Sequence, residues 1–122
     1  MIFGTGVDII EIQRFEKLIN RHNNLTRIFG EEELEQLTQN NRVASFAANF
    51  CAKEAFAKAL GTGVRGFKLN EVEILRDDLG KPFYKLSGSA KKNSDAAKLK
   101  FHVSLSHSLQ FAIAFTVAES DF

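Results

Sequence analysis

The chain of 122 residues has one cysteine, one proline, one methionine, one tyrosine and no tryptophan. The lone Cys51 excludes an intrachain disulfide, which fits a reducing compartment. It falls inside a helical pattern with no base beside it in sequence, so packing is expected of it, not nucleophilic chemistry. With one cysteine and three histidines, no cluster suits zinc. A net charge of +1 excludes an overall nucleic-acid field and leaves recognition to local charge clusters. No apolar run approaches the ~20 residues of a membrane span. The opening MIFGTGVDII lacks the basic start and long apolar core of a signal peptide. A cytoplasmic protein is expected, with no membrane or nucleic-acid partner. No linker, repeat or low-complexity segment divides the chain, so residues 1–122 are expected to form a single domain.

Phenylalanine is abundant: twelve occur, mostly at periodic apolar positions. So many rings exceed what a small core holds, and some are expected at a subunit interface. The longest helical pattern is Arg42 to Gly63, RVASFAANFCAKEAFAKALGTG, where Ala, Leu, Lys and Glu dominate and no proline interrupts. Gly61 suits the left-handed residue that stops a helix. At 100° per residue Ala48, Ala52, Ala55 and Ala59 share one narrow sector, where another backbone can come close. Val43, Phe46, Ala47, Phe50 and Ala57 form a wider opposite stripe. Glu54 sits in the middle of that stripe, with Lys58 one turn on. A carboxylate there either pairs with Lys58 at i, i+4 or faces a wet cleft and holds a cation.

Ile2 to Ile10 reads as a strand whose Gly4 and Gly6 signal close backbone approach. An amphipathic helix over about 10–21 follows, with Ile12, Phe15, Leu18 and Ile19 on its apolar side. Asp8 and Glu11 precede it, and Asp8 either caps this helix or binds metal. Arg14, Lys17 and Arg21 line up at i, i+3 and i+7 as a basic stripe, either solvated or facing an acidic partner helix. Asn23–Asn24 breaks the pattern. A short turn around Leu25, Ile28 and Phe29 ends at Gly30, and Glu31–Glu32–Glu33 suits the positive end of a helix stopped by Asn40–Asn41. After the long helix, GTGVRG over 61–66 is either a flexible connection or a phosphate-wrapping loop. Val72 and Ile74, the DDLG turn and KPFYKL predict a hairpin, with Pro82 at a strand start or edge. Residues 87–98 read as a short exposed helix. Phe101 to Leu105 and Phe111 to Ala118 read as a second hairpin, with the apolar second run at the sheet's centre. The order predicts an α+β fold: a mostly antiparallel sheet packed on a long central helix.

Two carboxylates, Asp8 and Glu54, suit a hard divalent cation such as Mg²⁺, which takes one or two protein carboxylates plus phosphate oxygens and water. Lys58 stands where it can meet the same phosphates, and Ser106–His107–Ser108 adds further donors. No G-x-S-x-G elbow supports a serine hydrolase. Metal-assisted handling of a phosphate ester is the expected chemistry.

The segments GVDIIEIQRF at 6–15, FCAKEAFAKALGTG at 50–63 and VSLSHS at 103–108, with GKPF at 80–83, resemble the holo-[acyl-carrier-protein] synthases, the small bacterial 4′-phosphopantetheinyl transferases. The likeness spans the chain in the right order. It implies the fold of that family and transfer of phosphopantetheine from coenzyme A (CoA) to a serine of apo acyl carrier protein, releasing adenosine 3′,5′-bisphosphate, in fatty acid biosynthesis. It also implies Mg²⁺ on Asp8 and Glu54, and catalytic roles for Glu54 and Lys58. CoA contacts are implied for Lys58, Gly61, Thr62, Gly63, Pro82, Ser106 and His107. The carrier is expected on Arg14, Lys17 and Arg21, and a homotrimer with sites between subunits is implied. The serine's base is either Glu54 or a water. Family members often carry a basic residue where this chain has Asn49; if that residue supports a CoA phosphate, this chain either uses another cation, with Lys53 and Arg42 nearby, or binds CoA more weakly. A metal-dependent phosphohydrolase and a non-catalytic carrier-binding module are the competing functions. Intact Asp8, Glu54 and Lys58 disfavour the second.

Overall fold

A computed structural model describes residues 1–22 and 25–121, with only the backbone of His22. The Asn23–Asn24 break lies outside the described residues. The elements are β1 (Ile2–Glu11), α1 (Ile12–His22), α2 (Leu25–Ile28), α3 (Glu31–Asn40), α4 (Val43–Leu60), β2 (Val72–Arg76), β3 (Pro82–Leu86), α5 (Gly88–Ala96), β4 (Leu99–His107) and β5 (Phe111–Ser120). Their order and class are those expected. The strands form two antiparallel sheets, one of order β1-β5-β4 and one hairpin β2-β3. The apolar β5 is indeed central in its sheet. Among the described residues no helix is long and apolar enough to cross a membrane.

Helix α4 organises the rest. Gly61 ends it at φ 89°, and its N–H bonds back to the Ala57 and Lys58 carbonyls. One side of α4 lies on the inner face of the larger sheet, where β5 presents the fully buried Ala112, Ala114, Thr116 and Ala118. The alanine sector meets β1. A Cβ added to Gly4 would stand 2.3 Å from the Ala59 carbonyl oxygen, and one added to Gly6 only 2.0 Å from that of Ala55. Strand and helix backbones therefore touch, which only glycine permits. The small residues that Gly4, Gly6 and the alanines predicted separately prove to be two halves of one seam.

The core has two aromatic clusters. Phe15 packs on Phe50 and Phe29, and Phe29 on Phe46. Phe56 stacks among Phe67, Tyr84 and Phe101. Tyr84 spans both: its hydroxyl lies 2.6 Å from the Ala52 carbonyl, to which it donates, and 2.7 Å from the Thr116 hydroxyl. This ties the small sheet to the large one across α4.

Two expectations on α1 need correction. The strand persists to Glu11, so the helix begins at Ile12, whose N–H goes to the Gln110 carbonyl. Leu18 is 44% exposed instead of facing the core, because Phe15 and Ile19 already fill the space against α4. In α5, Ala90 and Ser94 turn inward, so that helix is exposed on one side only.

The glycine seam makes a measurable demand. Gly6→Ala must push β1 off α4, so chemical denaturation should show a loss of at least about 2 kcal/mol, an overpacking cost. Unaltered stability would mean that the seam opens without cost.

Candidate active site

The seam sets the register of β1 against α4. On β1 the inward rows run Gly6–Thr116–Val103 and Asp8–Ala114–Leu105 across the sheet. Asp8 therefore points to the same side as Gly6, two residues beyond the point where β1 touches Ala55. One turn on from Ala55 along α4, the Lys58 ammonium lies 3.5 Å from Asp8 Oδ1 and donates to the Val7 carbonyl at 2.8 Å. Glu54, half-buried, feels the same group: burial first and the Asp8 charge second push its pKa above the ordinary carboxylate value, with Lys58 opposing. Asp8, Glu54 and Lys58 thus come together as expected.

Two plainer alternatives fail here. Asp8 does not cap α1, since it lies four residues before Ile12 inside a paired strand. Lys58 forms its ion pair with Asp8, and no Glu54–Lys58 pair exists among the described residues. The neighbouring Cys51 thiol is buried against the Ala112 carbonyl, and burial, with Asp8 second, pushes it up to about 12. A thiol so held is no nucleophile at neutral pH.

The other expected residues are more dispersed. Gly61, Thr62 and Gly63 form an exposed loop directly after α4, with Gly63 at φ 63°. Pro82 opens β3. Ser106 and His107 are exposed at the end of β4, with β5 between them and β1. His107 Nδ1 lies 3.4 Å from the Ser108 carbonyl. One chain does not bring these two residues to Asp8. Arg14, Lys17 and Arg21 are all exposed on α1, and the exposed Leu18 lies among them.

The cations suggested to replace a basic residue at Asn49 need correction. Lys53 is fully buried: its ammonium bonds Glu33 Oε1 at 2.7 Å and the Leu69 and Val72 carbonyls. Burial pushes Lys53 down and Glu33 up, each opposing the other's shift. Lys53 therefore serves no ligand. Arg42 is exposed at the start of α4. Asn49 is itself buried, donating to Glu33 Oε2 at 3.0 Å and to the Ile74 carbonyl at 3.1 Å. The cation that does reach Asn49 is Arg76, whose Nη2 lies 2.7 Å from Asn49 Oδ1. Sequence spacing held no signal for this pair, because 27 residues separate its members, one on α4 and the other at the end of β2.

The donor set fits a hard cation. Asp8 and Glu54 supply oxygens only, and their mutual repulsion is what a divalent ion would relieve. Among the described residues no group of three or more His, Cys, Asp or Glu gathers as a closed metal cage, so substrate and water oxygens would complete the coordination.

Known proteins match this arrangement over its whole length. The pattern of the 4′-phosphopantetheinyl transferase superfamily fits residues 4–116. A holo-[acyl-carrier-protein] synthase of Clostridium perfringens is 44% identical over 129 residues, covering 100% of this chain and 97% of that protein. The crystal structure of holo-[acyl-carrier-protein] synthase from Neisseria meningitidis superposes with a TM-score of 0.92 at 35% identity, over 98% of this chain and 100% of that one. A Bacillus anthracis holo-(acyl-carrier-protein) synthase in complex with CoA (3′,5′-ADP) superposes at 0.83 and 35% identity, over 99% of each chain.

The raised Glu54 pKa gives a sign for stability against pH. In acid both folded and unfolded states hold the proton, and Glu54 costs nothing. As pH rises from the ordinary carboxylate value through Glu54's raised one, the unfolded state releases its proton first, so stability falls. Glu54→Gln should therefore be the more stable protein at neutral pH without divalent cation, with the two converging in acid. Denaturation midpoints from pH 4 to 8 check this, and a variant less stable throughout contradicts it.

Proposed function

The chain belongs to the 4′-phosphopantetheinyl transferase superfamily, and on that basis we propose that it moves the 4′-phosphopantetheine group of coenzyme A onto a serine of apo acyl carrier protein, releasing adenosine 3′,5′-bisphosphate. The observation that carries this is the meeting of Asp8, Glu54 and Lys58 at the β1–α4 seam. Fatty acid synthesis is the process served, and a buried free thiol suits the cytoplasm.

Asp8 and Glu54 would hold Mg²⁺, which supplies Lewis-acid stabilisation of the diphosphate when bound. The chain's own groups do the rest. The carrier serine oxygen forms a bond to the phosphorus that bears pantetheine, and the bond from that phosphorus to the bisphosphate leaving group breaks. Lys58, anchored by Asp8 and the Val7 carbonyl, meets the negative charge that develops on the leaving phosphate. The serine hydroxyl's proton goes either to Glu54 or to a water. Gly61, Thr62, Gly63 and Pro82 line the CoA side.

Ser106 and His107 come from a neighbouring copy. The outer rows Val7–Phe115–Ser104 and Ile9–Ile113–Ser106 leave an apolar sheet face open, with Ile9 60% and Phe115 46% exposed. Burying that face in a homotrimer would account for the surplus phenylalanines and complete the site between subunits.

Apo carrier protein incubated with CoA, Mg²⁺ and this chain should gain the mass of one phosphopantetheine by mass spectrometry. Asp8→Asn and Glu54→Gln should each slow that gain by about 100-fold or more. Breakdown of CoA without carrier labelling would establish a phosphohydrolase instead. The stripe on α1 is the carrier's dock, with Leu18 offering an apolar contact amid Arg14, Lys17 and Arg21. Arg14→Ala combined with Arg21→Glu should raise the carrier concentration needed and flatten its salt dependence, leaving CoA affinity alone. Equal carrier association across a salt titration would reduce the stripe to a solvated face.

A further inference from the structure

Behind Asn49 lies a small cavity of about 60 Å³, lined by Gln36, Leu37 and Asn40 of α3, Ser45 and Asn49 of α4, and Arg76 at the end of β2. Three features distinguish it. First, Arg76 is held firmly. Gln36 clamps its backbone at both ends, accepting the Arg76 N–H at 2.8 Å and donating to the Arg76 carbonyl at 3.1 Å. Its side chain is fixed by the bond to Asn49. Second, this partly buried guanidinium pairs with no carboxylate among the described residues. Among the described residues its side chain makes one bond, from Nη2, and none of its other N–H groups is buried without a partner, while Arg76 itself lines the cavity. Third, the lining carries no acid. Glu33 stands behind Asn49, which takes up its Oε2, while Lys53 takes up its Oε1, and its charge offsets only part of the cost of burying Arg76. Ser45 donates to Asn40 Oδ1 at 3.1 Å, which leaves the N–H groups of that amide as further donors.

A partly desolvated, rigid, unpaired guanidinium beside amide donors is an anion site by its chemistry. Arg presents a planar fork of donors that matches phosphate oxygens, and such charge-assisted bonds are about twice as strong as neutral ones. We propose that this cavity binds a phosphate monoester, with Arg76 as its anchor. The ligand's oxygens take the free guanidinium N–H groups and the Asn40 amide, and its charge offsets the cost of burying Arg76. Asn49 is then a positioning residue, fixing the guanidinium. If the group is the 3′-phosphate of CoA, a clause that rests on the proposed function, Arg76 distinguishes CoA from dephospho-CoA. Free inorganic phosphate is the other source of the same chemistry.

Calorimetric titration of the full chain with inorganic phosphate, CoA and dephospho-CoA separates these cases. Two variants are compared with the parent. Arg76→Gln removes the charge. Ser45→Asp leaves Arg76 in place and puts a competing carboxylate in the cavity, which guards against a fold defect in the first; thermal melts report folding. Each variant should weaken CoA about tenfold and leave dephospho-CoA unchanged if CoA supplies the phosphate. Weakening of inorganic phosphate alone would support the site with free phosphate as its occupant. An Arg76-dependent phosphate signal in a protein that binds no CoA would keep the site and remove the proposed function. Unchanged affinity for all three in folded variants overturns the proposal. So does an equal loss for CoA and dephospho-CoA with inorganic phosphate unaffected, which would mark Arg76 as merely structural.

Discussion

Backbone-to-backbone contact between β1 and α4 is the constraint on which the rest depends. Gly4 and Gly6 lie so close to the Ala59 and Ala55 carbonyls that any side chain would collide. That contact fixes the strand in rotation and in register at once, because a slip of one residue would turn the whole strand over. Asp8 then faces inward beside Glu54 and Lys58. The functional groups are a consequence of the seam: strand and helix each contribute charge only because nothing larger than glycine stands between them.

Such proximity carries a standing electrostatic cost. Glu54 is raised by burial and by Asp8, and Lys58 offsets only part of that. Two carboxylates kept together at such a cost are what the proposed cation-binding role accounts for. Glu33 and Lys53 show the contrast. Their charges are more deeply buried, yet Glu33 also accepts from the Gly30 and Ile74 N–H groups and from Asn49, while Lys53 donates to two carbonyls. That network is closed within the chain and joins α3, α4 and β2. The Asp8 cluster is left open.

Much of this was legible in the sequence. Gly61 marked the end of α4, Asn40–Asn41 the end of α3, and Pro82 the start of β3, because backbone conformation at those points is a local property. The alanine sector was legible from helical period, though not that Gly4 and Gly6 were its partners. What stayed hidden depended on distant pairing. Lys53 reads as a cation within reach of CoA until Glu33, twenty residues earlier, is found against it. Arg76 reads as the exposed end of a hairpin strand until Asn49 and Gln36 are seen to hold it. The dispersion of Ser106 and His107 was likewise invisible, since strand order β1-β5-β4 is a property of the whole sheet.

That Asp8 and Glu54 together hold one divalent cation is tested most directly by titrating the chain with Mn²⁺ in place of Mg²⁺ and following water-proton relaxation, a readout independent of catalysis. The parent should bind Mn²⁺ in competition with Mg²⁺, and folded Asp8→Asn and Glu54→Gln proteins should each lose that binding. Undiminished Mn²⁺ binding in both variants would contradict the account, and would leave the two carboxylates as neighbours that the glycine seam brings together without purpose.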